Sequence, residues 1–357
     1  MEETNKYYQR NYFSFVCKLN GDDVSKMVKE SGKTTRINIP VTDGKGVLYV
    51  EVVHFGEQDN VYYKDKNNKF VSVEWSDRHD VVDAHFSSVL TLNINGKKEE
   101  TVSVYDFANS LLKHISDGDL TDKTLALRGE VKIELGKDNK KYTKYELKQL
   151  AVIPDGTPLV FKTETSAVIK KGAVKVDEEN KKIILNGFTQ NYMKLDGEQS
   201  KRGYMVPEEF ILSYAHENEK TSQMRKQLYL KLFDVKDDNL HAVLFDCEIF
   251  KGASEVKVLP LTDEQKMFIS LELLTEEEAI ENNTVKDNKV TTELRVVRPV
   301  LKAPYEKVTY VVNNKDIIDK MIFELKGASM FDNEEVNKVE GFGESVVDTE
   351  LFDSWFN

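Results

Sequence analysis

A strict alternation of apolar and polar residues between positions 125 and 135 constrains the fold more than any other feature. Its apolar set is Leu125, Leu127, Gly129, Val131, Ile133 and Leu135. A period of two is that of a strand with one buried face. The turn GKDNK reverses the chain, and Thr143, Tyr145 and Leu147 share one face of the returning segment. The sequence therefore predicts an antiparallel hairpin across 125–153.

Basic and aromatic side chains occupy the outward face of this hairpin. They are Arg128, Lys132, Tyr142, Lys144 and Lys148, with Glu146 as the exception on the returning strand. Proteins that bind single strands without sequence preference combine cations for the backbone with rings on which bases stack. Each residue alone is more typical of an ordinary exposed strand face. The cluster nevertheless predicts a nucleic-acid-binding surface.

The segments before the hairpin predict a small barrel. Three strand-like runs fall within 13–55, two more flank the Asn-Gly turn at 95–96, and a helix is predicted over 104–115. Strands, one helix and a two-strand return are the order of a five-stranded Greek-key barrel of the OB type. We therefore expect an OB-like domain at 1–153, with an insertion at 56–102.

A second β-rich domain is predicted after the Pro- and Gly-containing break IPDGTP at 153–158. Strand-like runs follow, namely LVFKT, AVIKKGAVKV, KKIILNGFTQNYMKL, QLYLKLFDV, HAVLFDCEIF, SEVKVLPL and TTELRVVRPVLK. A helix is predicted from Thr262 or Asp263 onward. No internal repeat is visible, but the strand content of 154–331 allows a second OB-like barrel. The fold class is mainly β with a few helices, and 357 residues suit two domains.

Further tyrosines and cations outside the hairpin are candidates for contacting a nucleic-acid strand. The insertion offers Tyr62, Tyr63 and Trp75. The second domain offers Tyr192, Lys194, Lys201, Arg202 and Tyr204 around a predicted turn, followed by Arg225, Lys226 and Tyr229.

Charge is distributed unevenly along the chain. The net charge is −12, which repels phosphate at long range. Residues 332–357 alone carry eight acids and one lysine, whereas residues 124–233 carry twenty basic and fifteen acidic side chains. A basic middle is therefore combined with an acidic segment, which is predicted to be disordered because its periodicity disappears.

Apolar side chains end this acidic segment. Leu351, Phe352, Trp355 and Phe356 would share one face of a two-turn helix, among Asp348, Glu350 and Asp353. So short a helix is marginal alone, which predicts a recognition peptide that orders in the hydrophobic groove of a partner. The alternative is a terminus that docks on its own domain or has no partner.

Other chemistries receive little support from the sequence. One segment concentrates metal-ligand types, with Asp77, His79, Asp80, Asp83 and His85; it is better interpreted as a loop, since hydrolytic metal sites draw ligands from several elements. No phosphate-binding or dinucleotide motif is present, and no nucleophile motif surrounds the histidines. We expect no cofactor, no metal and no enzymatic activity.

Location follows from what the sequence lacks. The start MEETNKYYQR has no apolar signal region, no run approaches a membrane span, and the two cysteines are far apart. The sequence predicts an intracellular, cytoplasmic protein without a membrane partner, in a bacterial host cell if the protein is viral.

The hairpin and the acidic segment together resemble the single-stranded DNA-binding proteins of bacteria and their phages, especially the large phage versions. The similarity covers residues 332–357 and, in outline, 13–153. It implies that OB domains hold the strand, with Tyr142 and its neighbouring lysines facing DNA. It also implies that the terminal aromatic and acidic residues dock replication and repair enzymes.

The function predicted is sequence-independent binding of single-stranded DNA in replication and recombination, with the acidic tail recruiting partner proteins. Two alternatives stay open. One is a β-rich viral interaction or assembly protein that never meets nucleic acid, and the other is a metal-dependent nuclease acting through residues 77–85.

Overall fold

The structure is a computed structural model that describes residues 11–135, 141–193, 202–236, 240–253, 256–258, 262–270, 275, 284–286, 290–299 and 310–312. The predicted tail, 332–357, lies outside the described residues. Within them no helix has the length and apolar character needed to cross a membrane.

Strands dominate the described residues. They are β1 (Asn11–Leu19), β2 (Val28–Ser31), β3 (Thr34–Thr42), β4 (Val47–His54), β5 (Asn60–Lys64), β6 (Phe70–Glu74), β7 (Leu90–Ile94), β8 (Lys97–Thr101), β9 (Thr124–Leu135), β10 (Lys141–Ile153), β11 (Val160–Ile169), β12 (Val174–Asp177), β13 (Lys182–Met193), β14 (Arg202–Ser213), β15 (Leu240–Ala253), β16 (Val256–Val258), β17 (Thr284–Lys286), β18 (Val290–Pro299) and β19 (Tyr310–Val312). The α-helices are α1 (Val24–Met27), α2 (Val104–Ser116), α3 (Glu219–Phe233) and α4 (Asp263–Ser270). The predicted mainly β class is confirmed.

Five strands of the first half close into a ring, here called barrel 1. Strand β1 pairs with β3 and β9, β3 with β4, and β10 with both β4 and β9. All these pairings are antiparallel except β4 with β10, which is parallel. Helix α2 lies between the third and fourth strands of the ring. The OB-type order predicted from the sequence is therefore confirmed.

Aromatic packing fills barrel 1. Phe13 and Phe15 of β1 are fully buried, and their rings lie 4.5 Å apart. Tyr145 of β10 and Phe161 of β11 meet Phe15 edge-on at 5.1 and 4.8 Å. Full burial of a large apolar side chain stabilises a fold by about 1.5–3 kcal/mol. The apolar positions of the period-two pattern in the hairpin are thus the side chains that pack into this core.

Helix α2 lies against the same core and begins as its sequence predicts. The Ser103 hydroxyl accepts a hydrogen bond from the Asp106 amide at 3.2 Å, which caps the first turn. Phe107, Leu111 and Ile115 are buried in the core of barrel 1. The Asn-Gly turn before it is also confirmed, since Asn95 has a positive φ of 54°.

A second ring, barrel 2, repeats this topology. Strand β11 pairs with β13 and β15, β13 with β14, and β18 with both β14 and β15. The β14–β18 pairing is parallel, and α3 lies between the third and fourth strands. Residues after the predicted break therefore form a second OB-type ring although the sequence shows no repeat.

One pairing joins the two rings into a continuous sheet. Strand β1 runs antiparallel to β11, from Asn11 opposite Thr165 to Val16 opposite Val160. The predicted break at 153–158 falls in the connection between β10 and β11. The division into units 1–153 and 154–331 stays a prediction.

Both cysteines, Cys17 and Cys247, are fully buried, one in the core of each barrel.

The prediction of a strand at QLYLKLFDV is wrong, because most of this segment forms the end of helix α3. Alternating leucines there imitate a strand. The side chain of Asn218 caps the helix, however, by accepting hydrogen bonds from the Lys220 and Thr221 amides at 2.9 and 3.3 Å. Phe233 is buried in the core of barrel 2, with Tyr229 partly buried beside it. Strand β14 was not predicted at all.

The insertion at 56–102 is also more ordered than expected. It contains the hairpin of β5 and β6, two short 3-10 helices at Trp75–Asp80 and Phe86–Ser88, and the β7–β8 hairpin. It enters barrel 1 between the third ring strand and α2, so the barrel order is intact.

The predicted start of α4 is confirmed, since Thr262 and Gln265 cap each other reciprocally at 3.2 and 2.9 Å.

Side chains also lock the two barrels together. The amide of Asn191 in β13 accepts a hydrogen bond from the Ile133 backbone N–H at 3.2 Å and donates one to the Ile133 carbonyl. Among the described residues, β1 pairs with β9 only as far as Glu130. The Asn191 side chain therefore supplies hydrogen-bond partners to the β9 backbone beyond that point. Lys141 of β10 pairs with Glu208 of β14 at 2.7 Å. The β9–β10 hairpin of barrel 1 is therefore held against the β13–β14 hairpin of barrel 2.

Replacing Asn191 with alanine should loosen this junction. Two buried backbone groups would lose their partners, at a cost of about 1–3 kcal/mol of unfolding free energy. Asn186→Ala in the same strand is the matched control, since the Asn186 Oδ1 has no hydrogen-bond partner among the described residues. Urea unfolding should separate the two variants. Equal stabilities would contradict the lock.

Candidate nucleic-acid interface

Four side chains on barrel 1, here called the interface row, lie on neighbouring strands of its outer face. They are Tyr49, Lys132, Tyr142 and Lys144. Lys144 is opposite Lys132 in the β9–β10 pairing. In the parallel pairing Tyr145 is opposite Val50, which places Lys144 beside Tyr49 one residue earlier. Three of these four residues were predicted from the sequence.

Two aromatic rings of the interface row are open to solvent. Tyr49 is 57% exposed and Tyr142 is 50% exposed. Val50 beside Tyr49 and Tyr145 beside Lys144 are buried in the core of barrel 1, whereas Thr143 beside Tyr142 is exposed. The strand alternation therefore turns Tyr49 and Lys144 outward over the core, and Tyr142 lies on the same face farther along β10. In OB folds the second and third strands and the loop between the last two form the usual binding face, and Tyr49 lies on the third strand.

Glu146 modifies the predicted basic face. Its carboxylate accepts hydrogen bonds from Lys132 on β9 and from Lys148 at 2.5 Å. Burial opposes ionisation of Glu146, but Lys148 and Lys132 outweigh it, so the pKa of Glu146 lies below its ordinary value. Burial likewise opposes the charge of Lys132, and Glu146 raises the pKa of Lys132. Two of the predicted cations are thus partly neutralised.

Carboxylates continue around this face, which is therefore mixed in charge. Glu146 lies opposite Glu130 on β9 and beside Glu51 on β4. Arg36 of β3 lies 3.6 Å from Glu51. Arg128 lies opposite Ser14 and Gln149, farther along β9 from the interface row. Lys132 and Lys144 lie opposite each other toward the turn end of the hairpin, and Glu130, Glu146 and Glu51 lie next along it.

The barrel lock brings two separately predicted clusters together. Asn191, which contacts Ile133, immediately precedes Tyr192 and lies opposite Tyr204, and Arg202 pairs with Met193 at the end of the same hairpin. The backbones of Tyr192, Arg202 and Tyr204 therefore follow the contact with β9. Lys194 and Lys201 lie outside the described residues.

The three predicted insertion residues have different fates. Tyr62 is 71% exposed, as a stacking ring must be. Tyr63 is buried and its hydroxyl donates to Asp83 Oδ1 at 3.0 Å, so this ring is no platform. The guanidinium of Arg78 lies 4.1 Å from the centre of the Trp75 ring. The ring of Tyr105 lies 5.5 Å from the Trp75 ring, centre to centre. Tyr63 is therefore corrected to a packing residue of the insertion, whereas Trp75 is only partly buried and its role in strand binding stays a prediction.

The predicted group Arg225, Lys226 and Tyr229 lies on α3, and its contact with a nucleic-acid strand stays a prediction. Lys226 bonds to the carboxylate of Glu178 and lies 5.8 Å from the centre of the Tyr214 ring. Arg225 donates to the Ala215 carbonyl at 3.3 Å. Burial raises the pKa of Tyr229, which packs on the core of barrel 2. These side chains attach α3 to its barrel.

The acidic and histidine-containing segment at 77–85 is structural in its contacts. Asp83 accepts the hydrogen bond of Tyr63, and His85 Nδ1 lies 2.8 Å from the Ser87 hydroxyl. Arg78 forms a two-point contact with Asp106 of α2, at 2.7 and 3.0 Å. Across the part of the chain that the structure describes, no group of three or more His, Cys, Asp or Glu side chains is arranged to hold a metal ion. Residues 348–356 lie outside that part.

Sequence reasoning missed Tyr49, although the signal was present. In GVLYVEVV, Leu48, Val50 and Val52 are buried, so the period of two already turns Tyr49 outward. Phe55, 59% exposed just after β4, was missed for the same reason.

Comparisons with known proteins give weak likenesses. No protein-family model and no curated protein matches this chain. The wild-type single-stranded DNA binding protein from Thermus aquaticus is similar in structure with a TM-score of 0.34 and 6% identity, over 84% of this chain and 97% of that one. A deletion mutant of that protein gives a TM-score of 0.32 and 5% identity, over 84% and 95%. At these TM-scores the fold rests on the strand pairing described above.

Replacing Glu146 with glutamine should reduce stability in a pH-dependent way. Because its folded pKa is lowered, the ionised carboxylate stabilises the fold above about pH 4.5, and this contribution disappears as the pH falls through the folded pKa. Urea unfolding at pH 7 should show a loss of up to about 1 kcal/mol that shrinks progressively as the pH is lowered below about 4.5. Glu209→Gln, at an exposed position of β14, is the control. A pH-independent loss would contradict this assignment.

Proposed function

We propose that this protein binds single-stranded DNA without sequence preference and acts in replication or recombination as a phage-type coating protein. The observation that carries the proposal is the interface row on an OB-type barrel, with two open rings beside two lysines. Rings accept any base by stacking, while ammonium groups hold the phosphate backbone. Such a surface has no need of the base-edge hydrogen bonds that read sequence.

The tandem arrangement supports a binding path longer than one barrel. The interface row ends at the β9–β10 hairpin, which the Asn191 contact holds beside the β13–β14 hairpin. The backbones of Tyr192, Arg202 and Tyr204 lie along this contact, and these residues are proposed to extend the path; Lys194 and Lys201, outside the described residues, stay candidates for the same strand. In this proposal units 1–153 and 154–331 each contribute to one strand-binding track, and neither performs catalysis.

The central test is a gel shift with labelled oligo(dT) across a salt series. Affinity should fall steeply with salt, with a log–log slope of about −0.7 for each phosphate contacted. Absence of a shift at low salt would favour the β-rich interaction or assembly protein. Magnesium- or manganese-stimulated cleavage of the oligonucleotide would favour the nuclease.

Substitution of the interface row should weaken this binding. Tyr49→Ala and a Tyr142→Ala/Lys144→Ala double variant each remove a stacking ring worth about 1–3 kcal/mol, roughly fivefold to a hundredfold in Kd. The salt slope of the double variant should also become shallower. Lys175→Ala, an exposed position in β12, is the matched control. Unchanged affinity in both row variants would remove the row from the site.

The acidic segment 332–357 is proposed to recruit partner proteins. Its seven candidate residues are Asp348, Glu350, Leu351, Phe352, Asp353, Trp355 and Phe356. Aromatic side chains on one face of an induced helix would fill an apolar groove, and the acids would meet a basic rim.

Deleting residues 332–357 should separate recruitment from DNA binding. Oligo(dT) affinity should stay equal or rise, because the segment carries much of the charge that repels phosphate. Capture of replication or recombination proteins from host extract should be lost. A Trp355→Ala/Phe356→Ala variant keeps the acids and should lose recruitment alone. Loss of DNA binding on deletion would contradict the proposal.

A further inference from the structure

The insertion carries a small basic and aromatic hairpin, here called the finger, formed by β5 and β6. Its outer face presents Tyr62 opposite Ser72 and Lys64 opposite Phe70. Tyr62 is 71% exposed and Phe70 is 74% exposed. The two rings are diagonal neighbours across the pair, a spacing of roughly 7–8 Å. Two open rings therefore lie close together on one face of the finger.

The finger is anchored, so its rings are presented on a rigid support. Its inner face packs Val61 and Tyr63 against Val102 in a separate small core. Backbone hydrogen bonds join its end to the following segment, from the Lys66 amide to Asp83 at 2.8 Å and from the His85 amide to Lys64 at 2.6 Å. A ligand would therefore meet a preformed surface without the cost of ordering it.

Cations of the finger differ from those of barrel 1 in lacking acidic partners. Lys66 and Lys69 flank the turn and are exposed, and neither forms an ion pair with a carboxylate of the described residues. Asp65 is the one acid of the turn, and its Oδ1 accepts the Asn67 and Lys69 amides at 2.9 Å each. The turn from Asp65 to Lys69 thus carries one net positive charge.

The pattern of the finger fits a nucleic-acid strand. Its two rings share one face with Lys64 and Ser72, and rings beside cations are the combination that single-strand binders use. The ammonium of Lys64 lies 5.2 Å from the centre of the Phe70 ring. A base stacked on the open face of that ring would bring its phosphate toward Lys64, Lys66 and Lys69.

We propose that the finger is a second contact for the same single strand, separate from the interface row. This inference rests on the proposed function. Tyr49 on the outer face of β4 and Phe55 just after the strand are six residues or about 20 Å apart, and the insertion begins directly after Phe55. A short strand therefore fills the interface row alone, whereas a longer strand also reaches Tyr62 and Phe70.

Two finger variants, measured with two strand lengths, test this second contact. Tyr62→Ala/Phe70→Ala removes the rings, and Lys66→Gln/Lys69→Gln removes the turn charges without touching the packed inner face. Ser72→Ala on the same outer face is the control. Affinity for an oligo(dT) of about 8 nucleotides, within the footprint of one OB fold, should match the wild type. Affinity for about 40 nucleotides should fall roughly fivefold or more with the ring variant, and the lysine variant should lower the salt slope by about 1.4.

Each outcome decides a different point. Wild-type protein that binds neither oligonucleotide would remove the proposed function and the finger contact together. Wild-type binding with unchanged affinity in both finger variants would overturn the finger contact and leave the proposed function standing. Equal losses on short and long strands would overturn a separate contact. A thermal melt of each variant should match the wild type, and the lysine variant tests the proposal if the ring variant does not fold.

Discussion

Antiparallel pairing between β1 and β11 is the interaction on which the rest of the architecture depends. It converts two five-stranded rings into one continuous sheet, so the register of barrel 1 also sets the position of barrel 2. The Asn191–Ile133 and Lys141–Glu208 contacts then hold the projecting hairpins together. A surface extending across both barrels is possible only because this junction is built from backbone hydrogen bonds and buried polar contacts.

Cross-strand ion pairs set the charge of the outer face of the β9–β10 hairpin. Glu146 ties down Lys132 and Lys148, so the hairpin carries less positive charge than its sequence implies. Each tether also fixes the direction of a flexible ammonium, which lowers the entropy lost when a phosphate binds. The finger differs, because its turn lysines, Lys66 and Lys69, are exposed to solvent.

Local patterns predicted barrel 1 well because its strands and α2 obey simple periods. The core positions of β9 and the extent of α2 were predicted from the sequence alone. Barrel 2 was harder, since Pro207, Glu208 and Glu209 interrupt the alternation of β14 and the leucines of α3 imitate a strand. Its topology emerges only from long-range pairing.

Site residues divide in the same way. Tyr142 and Lys144 were predicted from strand alternation, whereas the tether through Glu146 depends on cross-strand register and on the bulge between Leu147 and Gln149. The burial of Tyr63 and the stacking of Arg78 on Trp75 depend on the small core of the insertion, which no local period announces.

The two free cysteines, Cys17 and Cys247, are both buried, which makes site-specific labelling of the protein straightforward. Burial raises the pKa of both the Cys17 and the Cys247 thiols, so little reactive thiolate forms at neutral pH while the barrels stay closed. A single cysteine introduced on the solvent side of the molecule would thus be selectively labelled by maleimide dyes. The native chain is, in effect, already a cysteine-silent background for fluorescence spectroscopy.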